Sequence, residues 1–515
     1  MKLNKNLILA SFSALALAGC GADDIASPGT GGNVTITNTT TGGGGTNPGP
    51  APGTVTAAAG CPTIDDPQGL KDDGIITGPT GSYRVCTLPA RINRSIRLTK
   101  VSGLLYQLAS RVDVGTDGGF TASAADTNVV LNIDPGVIIF GGTGQSWLAV
   151  NRGNRINAVG TATQPIIFTS RDNVLGLNTE TSQGQWGGVV LMGRGRITDC
   201  TTGSVAAGTC ERQTEGAADP ARFGGANNAD NSGRMSFVQI RYSGFVLGAN
   251  IELQSLTTEG VGSATVLTHI MSYNSSDDGS EHFGGSPSLK YYIAVGADDD
   301  SLDVDTGAQM DVQFAILAQR SGAGDALFEI DSNGFETDTP RTKLQVSNFV
   351  ALQPAVSSNN EANDQAAALF RGNSDVTIVN GVINTPNNEC IRMNGSGATP
   401  ATLTAHSVVL NCNATKFLGT GGYTAAQVTG FFGAGSNNNR DTFTPTFTSL
   451  FINGSNETGV PVFTVASLGA FFAAVTNIGT VKDAADTWYT GWTCNSTAVN
   501  FGTGNSGACT SLPTN

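Results

Sequence analysis

Charge is scarce in this chain. Only 13% of its 515 residues are Asp, Glu, Lys or Arg, and the balance is acidic, with 41 carboxylates against 27 bases. A surface of that sign repels nucleic acid and other polyanions, and favours cations, neutral polymers or basic partners. Histidine is nearly missing: His269, His282 and His406 are dispersed, and they read as core or turn residues rather than ligands. There is no Cys-x-x-Cys, which removes the common thiolate zinc and redox motifs. Gly-x-Ser-x-Gly, His-Glu-x-x-His and a phosphate loop flanked by strand and helix are also absent. Long amphipathic helical patterns are lacking, and beyond the N-terminal apolar run nothing is long and apolar enough to span a bilayer.

What is present starts at the N-terminus. "MKLNKNLILASFSALALAGC" has Lys2 and Lys5, an apolar run from Leu7, and Leu17-Ala18-Gly19-Cys20. This pattern predicts a lipoprotein signal over residues 1–19, cleaved before Cys20, which is then acylated. Gly21, rather than Asp, follows the cysteine; by likeness to bacterial lipoproteins, that implies the outer membrane. Residues 21–60 hold eleven Gly and four Pro and have no aromatic, Lys or Arg. Such a segment buries too little apolar surface to order itself. It predicts a flexible tether from Cys20 to residue 60 with a reach of about 35 Å. Loss of Lys2 and Lys5 leaves 25 bases against 41 carboxylates, a mature charge of about −16.

Export also accounts for the cysteines. Nine minus the lipidated Cys20 leaves eight, an even number suited to an oxidising compartment. Pairing of neighbours would give Cys61–Cys86, Cys200–Cys210, Cys390–Cys412 and Cys494–Cys509, although spacing alone does not establish that connectivity.

From about residue 127 short apolar strands alternate with Gly/Asn/Asp/Ser turns, at a coarse period of 20 to 27 residues. Examples are "VVLNIDPGVIIFGG", "MSFVQIRYSGFVLG", "DVQFAILAQ" and "DVTIVNGVIN". Strands and tight turns without a helix in each repeat predict an all-β solenoid, a parallel β-helix, rather than a β-sandwich of hairpins. The expected organisation is an N-terminal cap over 61–125, the β-helix over 126–420, and C-terminal coils and cap over 421–515. Caps are required because open solenoid ends expose strand edges.

Register sharpens this pattern. "DDGSEHFGG" at 277–285 aligns without a gap on "DDSLDVDTG" at 299–307, and "EIDSNG", "LFRGNS" and "CIRMNG" continue the frame. One column reads Glu281, Asp303, Glu329, Leu369, Cys390; a second reads Phe283, Asp305, Asp331, Arg371, Arg392. The residues between them, His282, Val304, Ile330, Phe370 and Ile391, are mostly apolar and should face the core.

These segments resemble a family. "IDPGVIIFGG", "NRINAVGTATQPIIFTS", "QWGGVVLMG", the DDG/DDS pair and "VKDAADTWYTGWTC" are similar to proteobacterial surface lipoproteins with a right-handed parallel β-helix, related to pectate lyases. The resemblance spans roughly residues 60 to 510. It implies fold and placement more than activity, together with association with a TonB-dependent receptor and ligand capture at the cell surface.

Three readings of the acidic columns compete. Asp303, Asp305, Glu281, Glu329 and Asp331 could serve as general acid and base of a polysaccharide lyase or glycoside hydrolase. Against this, the Gly-His-Gly and Arg-Ile-Lys motifs of polygalacturonase-like enzymes are absent, and Arg320, Arg371 and Arg392 fall in no recognisable motif. Alternatively, Asp277, Asp278, Asp299, Asp300, Asp303 and Asp305 could converge on Ca²⁺, or the strip from carboxylates to arginines could hold a glycan or other polar ligand. In the third reading these aspartates only cap turns and keep the solenoid soluble. Trp147, Trp186, Tyr242, Tyr291 and Tyr292 are candidates for stacking on sugars, against burial in the coil. The preferred reading is a non-catalytic binding or surface-assembly protein anchored to the outer membrane.

Overall fold

The computed structural model describes residues 54–514, apart from 143–144, 215–216, 218–219, 249–250, 333–336, 357–365 and 396–398. The signal, Cys20 and the tether up to residue 53 lie outside the described residues.

The described chain is wound into parallel coils with three faces. The first short coil uses Arg91–Ile92, Ile96–Leu98 and Leu104–Leu108. Each of these strands stacks in parallel on its successor one coil later, at Val112–Val114, Val130–Ile133 and Ile138–Gly141. The first face forms an 11-stranded sheet, and the other two merge into one sheet of 15 strands. The merger occurs at Gly233–Arg241, whose first half pairs with Arg155–Val159 and whose second half pairs with Ile166–Ser170.

A backbone bend separates the second and third faces in every later coil. Phe237, His269, Tyr291, Phe314, Asn348, Asn380 and Ser407 occupy it with φ between 53° and 65°. None is glycine, and each such conformation costs about 1–2 kcal/mol. Stacking offsets this cost: the rings of Phe237, His269, Tyr291 and Phe314 lie 4.2, 4.4 and 4.8 Å apart in sequence along the column.

Alternation places one set of side chains inside. Val304, Ile330, Phe370 and Met393 stack in register and are fully buried. The third face is apolar on both sides. Its outward column Met271, Ile293, Ile316, Val350, Val382 and Val409 is also fully buried. This explains the near-continuous apolar runs "IAVG" and "FAILAQ", which are typical of strands covered on both faces.

The covering layer is the C-terminal segment. Helix Ala425–Phe432 closes the last coil, with Phe432 packed on Phe417. Beyond Arg440, which pairs with Val409, the chain runs back along the flank instead of stopping at the open end. Asn380 exchanges two hydrogen bonds with the Phe463 backbone, Gln313 exchanges two with Ala473, and Trp488 and Trp492 lie against Tyr291 and His269. Of residues 421–515, only the first part therefore caps the solenoid.

At the other end, parallel coiling begins near residue 81, inside the stretch read as a cap, and is preceded by the antiparallel hairpin Lys71–Gly78/Gly81–Thr87. The body also starts before Cys61, because Val55 and Ala58 hydrogen bond to Thr80, Ser82 and Gly103. All four neighbour disulfides form: Cys61–Cys86, Cys200–Cys210, Cys390–Cys412 and Cys494–Cys509. No helix among the described residues is long and apolar enough to cross a membrane.

One correction concerns register. Leu369 stacks on Arg392, not on Cys390, and Phe370 stacks on Met393, not on Ile391. The expected frame was displaced by two residues, a shift that leaves inward and outward positions unchanged and so escapes the apolar pattern. Cys390 belongs to the preceding turn, where it bonds Cys412.

Burial on both sides of the third face makes outward Ile316 as costly to truncate as inward Ile330. Ile316→Ala and Ile330→Ala should each lower unfolding free energy by about 2–4 kcal/mol, and exposed Leu177→Ala by less than about 0.5 kcal/mol. Urea denaturation followed by circular dichroism measures the difference.

Candidate functional site

The aspartates divide by the work their oxygens do. Four of them hold turns. Asp278 Oδ1 accepts the Asp300 amide at 2.9 Å, and Asp300 Oδ1 accepts the Ala326 amide at 2.7 Å, one coil to the next. Asp305 accepts the amide of Thr306, and Asp331 that of Ser332. Two of these bonds tie a turn to the next coil and two fix the amide that follows the aspartate, so the Asp-rich turns have structural work without a ligand.

The strand positions have no turn to hold. Glu281, Asp303 and Glu329 lie in register on successive coils of the first face. Parallel stacking sets neighbouring coils about 4.8 Å apart. One carboxylate oxygen each from Asp278, Glu281 and Asp303 lies within 4.8 Å of the other two, and Asp277, Asp278 and Asp299 form a second such group sharing Asp278. Asp300 and Asp305 belong to neither group. Among the described residues, Asp303 Oδ1 is buried with no hydrogen-bond partner.

Electrostatics follows from this packing. Burial pushes the Asp278, Asp300, Asp303 and Asp305 carboxyls well above the usual carboxylate range. Neighbouring carboxylates push further: Asp277, Asp303 and Asp299 on Asp278, and Glu329, Asp305 and Asp331 on Asp303. Like charges this close resist joint ionisation.

Two arginines bound the acidic patch. On one side Arg371 meets Glu329 at 2.7 Å and Asp331 at 3.4 Å. On the other Arg212 pairs with Asp199 at 2.7 Å, lies 5.5 Å over the Phe283 ring, and favours the ionised form of Asp305. Arg212 arrives on the insertion between strands Gly188–Met192 and Gly233–Arg241, whose Ile197, Cys210 and Phe223 cover Trp147, Met192 and Phe283 on the first face. Sequence reasoning missed this wall. Its signal was the break in strand period between residues 192 and 233, together with the short Cys200–Cys210 loop.

Other candidates fall away from the patch. Arg320 turns to Asp298 and Gln183, and Arg392 reaches the first column rather than the second. His282 is sealed inside the coil against Thr258 and Ser280, and burial lowers its pKa to about 3. His269, within the aromatic column, is lowered to about 4 for the same reason. His406 stacks on Phe463. Trp147, Trp186, Tyr242 and Tyr292 are buried, and Tyr291 lies beneath Trp488, so these rings pack the protein rather than a sugar.

The fold and site define a parallel β-helix with an acidic patch on one face. Residues 120–493, more than half the chain, match the family described as pectate-lyase like beta helix domain, and the chain belongs to that family. No curated protein and no solved structure matches it.

The carboxyl shifts carry a sign. A group whose pKa rises on folding opposes folding above that raised value, and the penalty fades as pH falls toward 3.8, its unfolded value. His269 and His282 act oppositely, withdrawing stability as pH falls from 6.5 toward about 4 and about 3. In chelator, Asp278→Asn with Asp303→Asn should therefore stabilise the protein at pH 8, with the gain over wild type shrinking as pH falls to 4. Thermal melts across that range check the slope.

Proposed function

We propose that this protein is a lipid-anchored β-helix of the outer membrane that binds a hard divalent cation such as Ca²⁺ on its acidic face, without turnover. Through that cation, or beside it, the face holds a polar or glycan ligand for surface assembly or for delivery to a TonB-dependent receptor. The lipid anchor, the outer-membrane placement and the receptor rest on the signal around Cys20 and on resemblance. Four disulfides favour a site outside the cytoplasm.

The observation that carries the cation reading is Asp303 Oδ1, buried, unpartnered and set in a strand column of carboxylates. Asp278 and Asp305 are explained by the turns they hold; Asp303 holds no turn, its carboxyl meets that of Glu281, and its Oδ1 is left without a partner. Oxygen-only donors at this density suit a hard ion, whose charge would replace the protons that the cluster otherwise needs. The residues that would hold it are Asp278, Glu281 and Asp303, with Asp277 and Asp299 alongside.

Calcium should raise the melting temperature of the mature chain at pH 7.5, by the equivalent of about 2.7 kcal/mol at one hundred times Kd. Asp278→Asn with Asp303→Asn should remove that increase. No shift at millimolar Ca²⁺ refutes the cation reading. A fall in viscosity of an anionic polysaccharide, lost in the same double variant, would replace the non-catalytic reading with a lyase or hydrolase.

A further inference from the structure

The third face of the solenoid is built like a protein-binding surface. Its outward column, Met271, Ile293, Ile316, Val350, Val382 and Val409, is an apolar stripe six coils long, larger than a monomer normally leaves open. It forms a hydrophobic cluster with Phe451, Tyr489, Trp492 and Phe501 of the C-terminal segment, separate from the cluster that fills the coil. Around this stripe, side chains of the coils grip the main chain of the segment. Lys290 donates to the Phe471 carbonyl at 2.7 Å, Asn348 to that of Asn477 at 2.9 Å, and Arg241 to those of Cys509 and Ser511 at 3.0 and 2.9 Å. An apolar centre, a polar rim and tryptophan anchors are the anatomy of an interface between two proteins.

Covalent structure points the same way. Three disulfides join parts of the solenoid and its insertion to one another, and Cys494–Cys509 lies wholly within the segment. None joins the two. Past Arg440 the segment is tied to the solenoid by one peptide connection and by contacts that reform.

We propose that the third face is a docking surface, that residues 441–512 are its ligand held in cis, and that the same segment of a second copy can take its place. This exchange uses the apolar stripe and the main-chain contacts, and is independent of the acidic patch.

The test is a full-length chain with a protease site inserted at Thr442, an exposed position at the start of the segment. After cleavage, the segment should remain bound on size exclusion without denaturant. Mixing cleaved protein with a second batch carrying a fluorophore on its segment should then transfer label between solenoids. Trp492→Ala should speed that transfer by at least about tenfold, since one anchor is lost. The proposal is overturned if the label never transfers in urea too dilute to unfold the coils. It is overturned equally if cleavage makes the solenoid unfold, which would make the segment part of a single folding unit.

Discussion

Parallel stacking places each residue on its counterpart in the next coil, about 4.8 Å away, and everything else in this protein answers to that contact. Isoleucine on isoleucine is favourable, and the interior and the third face repeat it along the solenoid. Asparagine on asparagine closes a side-chain bond, as Asn157 does with Asn132 at 3.1 Å. Aromatic rings on aromatic rings make a non-glycine bend tolerable through four successive coils. Aspartate on aspartate is the exception, because the same spacing that rewards the other columns concentrates charge.

The protein meets that exception in different ways along one face. Arginine is laid over Glu329 and Asp331, turn amides take up oxygens of Asp278, Asp300, Asp305 and Asp331, and the insertion brings Arg212 within range of Asp305. Asp303 is left with a buried oxygen that none of these devices reaches. Repeat proteins hold such a position only when its cost is spread over many stabilising neighbours, and the coils on either side supply them.

Legibility in the sequence followed the same contact. The pairing of Glu281, Asp303 and Glu329 could be read because acidic motifs of similar pattern recur in those coils, "SEHF", "LDVD" and "FEID", in true register. Arg392 was misplaced because "CIRMNG" matches "EIDSNG" at Ile and Asn-Gly two residues out of the true register, and a two-residue slip preserves alternation. The C-terminal segment has no period to read: it is irregular, recognised through its backbone, and its partner residues Gln313, Asn348 and Asn380 lie more than a hundred and twenty, or more than eighty, positions away. The Arg212 wall was hidden for a related reason, since an insertion interrupts the repeat that made the neighbouring coils visible.

The two ends of the solenoid are unlike. Strand Lys71–Gly78 runs antiparallel to the coil it covers, while helix Ala425–Phe432 lies across the last coil. A second molecule offering a parallel coil would meet a strand of the wrong direction at one end and no strand at the other. In-register parallel stacking is also the geometry of cross-β fibrils, which grow because each new layer recreates the surface it joined. Here the terminal layers do not recreate it, so a fold assembled by fibril-like contacts stops at a fixed length.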